Sequence, residues 1–217
     1  MTKSKVSGFI HLAGIILSIF ALVFMVYYAS IKASVYHVVG FSIFGASLIL
    51  LYMASTIYHL LPEGTKIRDR MRKVDHMMIF VLIAGTYTPI CLVPLHGIWG
   101  LSLLIAIWAI ALGGVFLKMF FFNAPRWLST ALYILMGWLV VIAFYPLLQN
   151  LPLGGVTWLI IGGIFYTIGG IIYGLKKPDF GLKFFGFHEF FHVFVVLGSI
   201  SHFILMFFYV MNVSIKF

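Results

Sequence analysis

Long apolar runs separated by short polar connections account for most of this chain of 217 residues. A run of about 20 apolar residues, folded as a helix, can cross the roughly 30 Å hydrocarbon core of a bilayer while pairing its own backbone groups. The pattern predicts an all-α membrane protein, a seven-transmembrane helix bundle that forms a single domain over residues 1–217. The expected spans are residues 9–30, 37–61, 74–94, 98–117, 127–148, 153–175 and 185–210.

The composition excludes a soluble protein. Hydrophobic residues make up 63% of the chain and charged residues 9%, whereas roughly a quarter of a soluble domain is charged. The formal net charge of +9 does not indicate a nucleic-acid partner, because the basic residues lie in short segments between the spans. The first span is longer than the about 7–15 apolar residues of a signal peptide, so we expect it to be retained.

Lysine and arginine are distributed unevenly between the two ends of the predicted bundle. Cytoplasmic loops carry the excess of these residues. Only two of the 14, Lys32 and Lys216, lie on the side opposite the N-terminus. The N-terminus is therefore predicted to be cytoplasmic and the C-terminus outside. The twelve on the cytoplasmic side are Lys3, Lys5, Lys66, Arg68, Arg70, Arg72, Lys73, Lys118, Arg126, Lys176, Lys177 and Lys183.

Three local features concern packing. The segment GTYTP at 85–89 puts a proline inside the third span, which predicts a kink near Thr86. Gly170 and Gly174 form a G-x-x-x-G pattern that admits a close neighbouring helix; we favour a contact within the bundle, with a homo-oligomer contact as the alternative. The single cysteine, Cys91, lies in an apolar span and is expected to be a packed thiol.

Polar residues at one depth indicate a metal site. His188 and His192 are four positions apart and share one face of the last span, so both imidazoles can bind one ion. His59, Asp75 and Ser55 lie near the same cytoplasmic end of the second and third spans. Three histidines with a nearby carboxylate and hydroxyl suit zinc with an open position. Hydrogen bonding of the histidine pair to neighbouring helices is the alternative.

The other histidines are weaker candidates. His202 lies ten residues beyond His192, about 15 Å along the helix, and is expected to be a hydrogen-bonded packing residue. His76 adjoins Asp75 but points about 100° away. His11, His37 and His96 lie near span ends, where we expect ordinary interfacial solvation.

Three segments together resemble the bacterial haemolysin III family. They are Ser55-x-x-x-His59 in the second span, KVDHMMIFVLIAGTYTP at 73–89 and FGFHEFFHVFVVLGSISHF at 185–203. That family is related to the progestin and adipoQ receptors, which include the adiponectin receptors, and more distantly to the alkaline ceramidases. The resemblance covers nearly the whole chain and is specific in the combination of motifs.

The resemblance implies a multi-pass protein of the bacterial plasma membrane, with a zinc ion near the cytoplasmic face. Its implied ligands are His59, His188 and His192. Asp75 matches the aspartate that holds a zinc-bound water, and Ser55 matches a serine that lines the same site. The related receptors share the N-in, C-out orientation that the charges predict.

Glu189 completes an H-E-x-x-H sequence, in which metalloproteases use the glutamate as general base. The similar families need only H-x-x-x-H, and the N-P-D-G-like segment that usually supplies the third ligand of an intramembrane metalloprotease is missing from the sequence. Glu189 is therefore interpreted as a proton shuttle beside the site or as a membrane-edge residue that pairs with Lys183 or another loop cation.

Two functions from different classes follow. The first is a zinc-dependent lipid hydrolase in which Asp75 accepts a proton from water and Ser55 donates a hydrogen bond to the developing oxyanion. The second is a non-enzymatic regulator or sensor of membrane lipid state with a structural zinc. A third, a pore-forming haemolysin as the family name indicates, fits the ordinary membrane-helix pattern poorly. Membrane lipids are the expected partners.

The charge distribution generates a topology prediction. Reporter fusions at residue 68 and at the N-terminus are expected to report the cytoplasm, and a fusion after Phe217 the outside, because twelve of the 14 basic residues lie on one side. Finding residues 68 and 217 on the same side would contradict it.

Overall fold

The computed structural model describes residues 2–121, 125–178, 182 and 184–215. All regular elements among these residues are helical. Lys183, Lys216 and Phe217 lie outside the described residues. The α-helices are α1 (Lys3–Lys32), α2 (Val35–Leu60), α3 (Lys66–Leu92), α4 (Ile98–Phe120), α5 (Arg126–Trp138), α6 (Phe144–Asn150), α7 (Leu153–Leu175) and α8 (Phe187–Ile204).

Seven of the described helical segments are long and apolar enough to cross a membrane, which confirms the predicted bundle. The fifth segment consists of α5 and α6 joined by a 3-10 turn at Leu139–Ala143. The seventh extends α8 through a π turn at Leu205–Tyr209 and a 3-10 turn at Val210–Asn212. Helices α1 and α3 begin earlier than predicted, at Lys3 and Lys66, because their polar first turns project beyond the apolar spans.

The helices pack mainly against their neighbours in the chain, from α1 on α2 through α3 on α4, and α7 on α8. Helix α1 also contacts α8, so the first and last spans are adjacent. Helices α2 and α3 are the most buried. The outer surface is rich in exposed apolar side chains such as Phe20, Ile105 and Ile142. This arrangement places the end of α2 beside the starts of α3 and α8.

Two of the three packing features predicted from the sequence, the glycine contact and the buried cysteine, are found in the structure. A methyl group added at Gly170 or Gly174 would lie 3.4 Å from Ile134 or 3.5 Å from Thr130 of α5, which confirms a contact within the bundle. Cys91 is buried and its thiol is free. The proline of the GTYTP segment lies inside α3; a kink near Thr86 stays a prediction.

Polar side chains pair the backbone groups that the two helix irregularities release. In the fifth span, the Tyr87 hydroxyl donates to the Gly137 carbonyl at 2.7 Å and accepts from the Val140 amide at 2.8 Å. In the seventh, His37 Nε2 donates to the Val210 carbonyl at 3.1 Å. His37 is therefore buried, and the expected interfacial solvation is wrong for this residue.

A second buried network links three spans. Ser199 of α8 donates to the Val195 carbonyl at 3.0 Å. Its oxygen then accepts from the hydroxyl of Tyr52 in α2 at 2.7 Å and from that of Tyr166 in α7 at 3.0 Å. One serine thus accepts from the buried Tyr52 and the partly buried Tyr166, whose hydroxyls would otherwise each be unpaired in an apolar interior.

The role of Tyr87 generates a stability prediction. Tyr87→Phe removes the hydroxyl that pairs the buried Val140 amide and the Gly137 carbonyl, so it is expected to lower the free energy of unfolding by about 1–3 kcal/mol. Tyr145→Phe is the matched control, because Tyr145 is 73% exposed on the outer surface of the fifth span, which Tyr87 contacts. Unfolding in detergent micelles measures both, and equal losses would contradict the assigned role.

Candidate metal centre

Three histidine rings converge where α2 ends and α8 begins. His59 lies in the last turn of α2, and His188 and His192 lie one turn apart on α8. His188 Nε2 is 3.2 Å from His59 Nε2 and 3.1 Å from His192 Nε2. His59 and His192 are 4% and 1% exposed, and His188 is partly exposed. Their arrangement is suited to hold a metal ion.

Hydrogen bonding alone does not satisfy this triad. An imidazole nitrogen carries either one hydrogen or one lone pair. His188 Nε2 has two close nitrogen neighbours, so it makes one well-formed hydrogen bond and leaves the other contact poorly matched. A cation between the rings accepts a lone pair from each of the three nitrogens, which favours metal binding over the alternative of a hydrogen-bonded pair.

The surroundings of His59 orient its ring for this role. Ser4 of α1 donates its hydrogen to the His59 carbonyl at 3.0 Å and accepts from Arg68 Nη2 at 3.0 Å. His59 Nδ1 lies 3.2 Å from the same oxygen and therefore donates to it. The hydrogen on Nδ1 leaves a lone pair on Nε2, facing the other two histidines, as in metal-binding histidines generally.

Asp75 and Ser55 lie beside the triad, as the sequence predicts. Both line an elongated cavity of about 160 Å³ that is also lined by His188 and His192. The Ser55 hydroxyl faces the Asp75 carboxyl group and makes no hydrogen bond of ordinary geometry with any described residue. The structure thus brings the three predicted histidines together and places Asp75 and Ser55 on a cavity that His188 and His192 also line; the chemical roles of Asp75 and Ser55 stay predictions.

His11 also lies at the site, so the expected solvated position near a span end is wrong for this residue. Its ring stacks on His192 with centroids 3.8 Å apart and contacts the edge of Tyr52 at 4.9 Å. It is 3% exposed, and neither ring nitrogen has a hydrogen-bond partner among the described residues. Helix α1 begins at Lys3, so His11 lies two turns inside the helix instead of at a solvated end. The position of the N-terminal cap would have revealed this.

The remaining histidines differ in their outcome. His202 is a packing residue as predicted, since its Nδ1 donates to the Gly198 carbonyl at 2.8 Å and its ring stacks on Tyr166. His76 follows Asp75 and yet lines the same cavity, where its Nε2 is 3.5 Å from the Tyr173 hydroxyl. Neither belongs to the metal-binding triad.

Glu189 is used to start α8. One carboxylate oxygen accepts from the Gly186 amide and the other from the Ser7 hydroxyl, both at 2.8 Å. This buried carboxylate caps the helix and ties it to α1. Glu189 is therefore not placed as the general base of an H-E-x-x-H site, and the pairing with Lys183 lies outside the described residues.

The chain is similar to known proteins over most of its length. Residues 1–203 match the family model described as Haemolysin-III related. The chain is similar to the hemolysin-3 homolog of Bacillus subtilis (strain 168), 43% identical over 203 residues, which cover 94% of this chain and 92% of that protein. It is also similar to hemolysin-3 of Bacillus cereus, 40% identical over 201 residues, 93% of this chain and 89% of that protein.

The seven apolar helices and the bacterial relatives identify a multi-pass protein of the bacterial cell membrane. The match covers the end of α2 and the start of α8, where the three histidines converge. Sequence, fold and relatives lead to the same assignment: the chain belongs to the haemolysin III-related family.

Proposed function

We propose that this protein is a zinc-dependent hydrolase that cleaves an amide or ester bond of a membrane lipid and acts in membrane lipid homeostasis. The observation that carries the proposal is the spacing of the three Nε2 atoms. Tetrahedral zinc with bonds of 2.0–2.1 Å to nitrogen places neighbouring ligands about 3.3 Å apart. The separations of 3.1 and 3.2 Å around His188 are close to that value.

The donor set also supports catalysis over a purely structural role. Closed structural zinc sites generally have four protein ligands, whereas catalytic sites have three. The triad supplies three imidazoles, and Asp75 and Ser55 line the adjoining cavity. When bound, zinc acts as a Lewis acid that lowers the pKa of water and polarises a carbonyl group.

The protein groups then perform the proton transfers. Asp75 accepts a proton from the water whose oxygen bonds to the acyl carbon, and returns it to the departing nitrogen or oxygen when the acyl bond breaks. Ser55 donates a hydrogen bond to the carbonyl oxygen as negative charge develops there. The hydrogen bonds from Ser4 orient the His59 ring. His59 in turn sets where the reacting carbonyl group lies relative to α2 and α8.

The cavity supports a lipid as substrate. It is lined mainly by apolar side chains and extends from His192 to His202, about 15 Å along α8. Trp138 of α5 and Ile160 of α7 line the cavity and are also exposed on the outer surface of the bundle. The cavity therefore reaches the lipid-facing surface between these helices, where an acyl chain can enter from the bilayer.

A second candidate is a non-enzymatic regulator of membrane lipid state. The observation that favours it is that the triad joins α2 to α8 across 129 positions of the chain. A metal ion there ties together two helices that are distant in sequence. Metal-dependent packing of these helices then responds to the lipid environment without turning over a substrate.

Metal content tests the shared part of both functions. The purified protein is expected to contain about one zinc ion per chain. His59→Ala, His188→Ala and His192→Ala are each expected to lower the occupancy, because each removes one of three ligands. His96→Ala is the control, since His96 lies at the other end of α3 and bonds to the Leu92 carbonyl. Full zinc retention by the His188→Ala, His192→Ala double variant, measured by elemental analysis, would contradict the proposed site.

Asp75→Asn separates the two functions. Asparagine keeps the size of the side chain but accepts no proton, and the three imidazoles remain. Zinc content is therefore expected to stay near the wild-type value, while the lipid change caused by the wild-type protein falls by about 100-fold or more. Mass-spectrometric lipid inventories of cells expressing either form, with His188→Ala as the metal-deficient reference, measure this. An unchanged lipid effect with zinc retained would favour the regulator.

A further inference from the structure

A second cavity, of about 280 Å³, lies at the predicted cytoplasmic end of the bundle. We call it the vestibule. Its described lining includes four cationic side chains, Lys3, Arg68, Arg72 and Arg126, and one carboxylate, Glu189. His188 and Tyr173 line both the vestibule and the apolar cavity. The triad therefore lies where a cationic cavity meets an apolar one.

The cations converge from three helices. Lys3 lies in the first turn of α1, Arg126 begins α5, and Arg68 and Arg72 are one turn apart on the same face of α3. The excess of basic residues on cytoplasmic loops explains their side of the membrane. It does not explain why these four line one cavity, because Lys66 and Arg70 of the same α3 turns are exposed and lie outside its lining.

The carboxylates in and beside the vestibule, Glu189 and Glu63, already have partners within the protein. Both oxygens of Glu189 are bonded, one to Ser7 and one to the Gly186 amide. Glu63 pairs with Arg68 at 3.1 Å from a position that is 75% exposed, outside the vestibule. The described lining has four cations and one carboxylate, so the balance stays positive after Glu63 is paired with Arg68, and a metal ion bound by the triad would add further positive charge.

Arg126 has the geometry best suited to an anion among the four cations. Its guanidinium stacks on the Tyr173 ring, with the central carbon 4.7 Å from the ring centroid. Its Nη1 atom is buried and has no hydrogen-bond partner among the described residues. Buried donors are almost always paired, and a planar guanidinium fixed by stacking is suited to bind a phosphate with two parallel hydrogen bonds.

We propose that the vestibule binds the phosphate of an anionic phospholipid headgroup. Its acyl chain lies in the apolar cavity, and its acyl linkage lies at the triad between the two. This inference rests on the proposed function, whose substrate class it narrows from lipids in general to phosphate-bearing lipids. The geometry fits such a lipid because its acyl linkages lie between the phosphate and the chains, in the same order as vestibule, triad and apolar cavity.

Binding of a non-hydrolysable lipid tests the inference independently of turnover. The probe is the diether analogue of phosphatidic acid with two octyl chains, titrated into the full-length protein in detergent and followed by microscale thermophoresis. The comparison ligands are the matching ether-linked phosphatidylcholine and inorganic phosphate. Wild-type protein is expected to bind the phosphatidic acid analogue at least about tenfold more tightly than either comparison ligand. The phosphatidylcholine analogue carries no net charge, and inorganic phosphate has no lipid chains.

Variants locate the site. Arg126→Gln and Arg72→Gln, singly and together, are expected to weaken phosphatidic acid binding, by about tenfold or more for the double variant, because charged hydrogen bonds are lost. Lys66→Gln with Arg70→Gln removes the same charge from the exposed face of α3 and is expected to change affinity less than about twofold. Thermal unfolding of each variant verifies folding, and Arg72→Gln alone, being exposed, carries the test if the Arg126 variants are unstable.

Each alternative outcome contradicts one part of the proposal: the anion site, the lipid as its ligand, or the hydrolase. Equal affinity for phosphatidylcholine, or equal losses in the Lys66 and Arg70 control, overturns an anion site in the vestibule. Equal affinity for inorganic phosphate supports the anion site and overturns the lipid as its source. Tight, arginine-dependent lipid binding without any hydrolase activity would remove the proposed enzyme while leaving the headgroup site intact.

Discussion

Every polar group inside a bilayer needs a partner supplied by the protein, because the hydrocarbon offers none. This requirement explains most of the polar residues in the spans. Tyr87 pairs the backbone groups released in the fifth span, and His37 does so in the seventh. Ser199 satisfies two tyrosines at once. These residues hold the bundle in one arrangement, and only there do the polar groups of the site face each other.

The site differs from these networks because its polar groups are not fully matched. Two Nε2 atoms crowd around that of His188, the ring nitrogens of His11 lack hydrogen-bond partners among the described residues, and the Ser55 hydroxyl has none of ordinary geometry. In a soluble protein water would supply the missing bonds. Buried near the membrane surface, such a concentration of unmatched groups costs several kcal/mol unless ligands satisfy them, which is the physical reason to regard it as functional.

Much of this architecture could be predicted from the sequence, for reasons that also mark the limits. The depth of His59, His188 and Asp75 follows from counting residues within spans of known direction, so their convergence was predictable. His11 was not, because its depth depends on where α1 starts, and the cap at Thr2 is a local polar feature outside the apolar run. The vestibule was also not predictable. Charge counting assigns Arg126 to a side of the membrane, whereas its direction depends on stacking against Tyr173.

The two helices that supply the triad, α2 and α8, are synthesised at different times. His59 enters the membrane with the second span, but its partner His188 is 129 positions later in the chain. At about 5–20 residues per second, roughly ten seconds of synthesis separate the two. During that time neither the triad nor the contact of Glu189 with Ser7 exists. The candidate metal centre is therefore assembled only when translation of α8 brings His188 and His192 to His59.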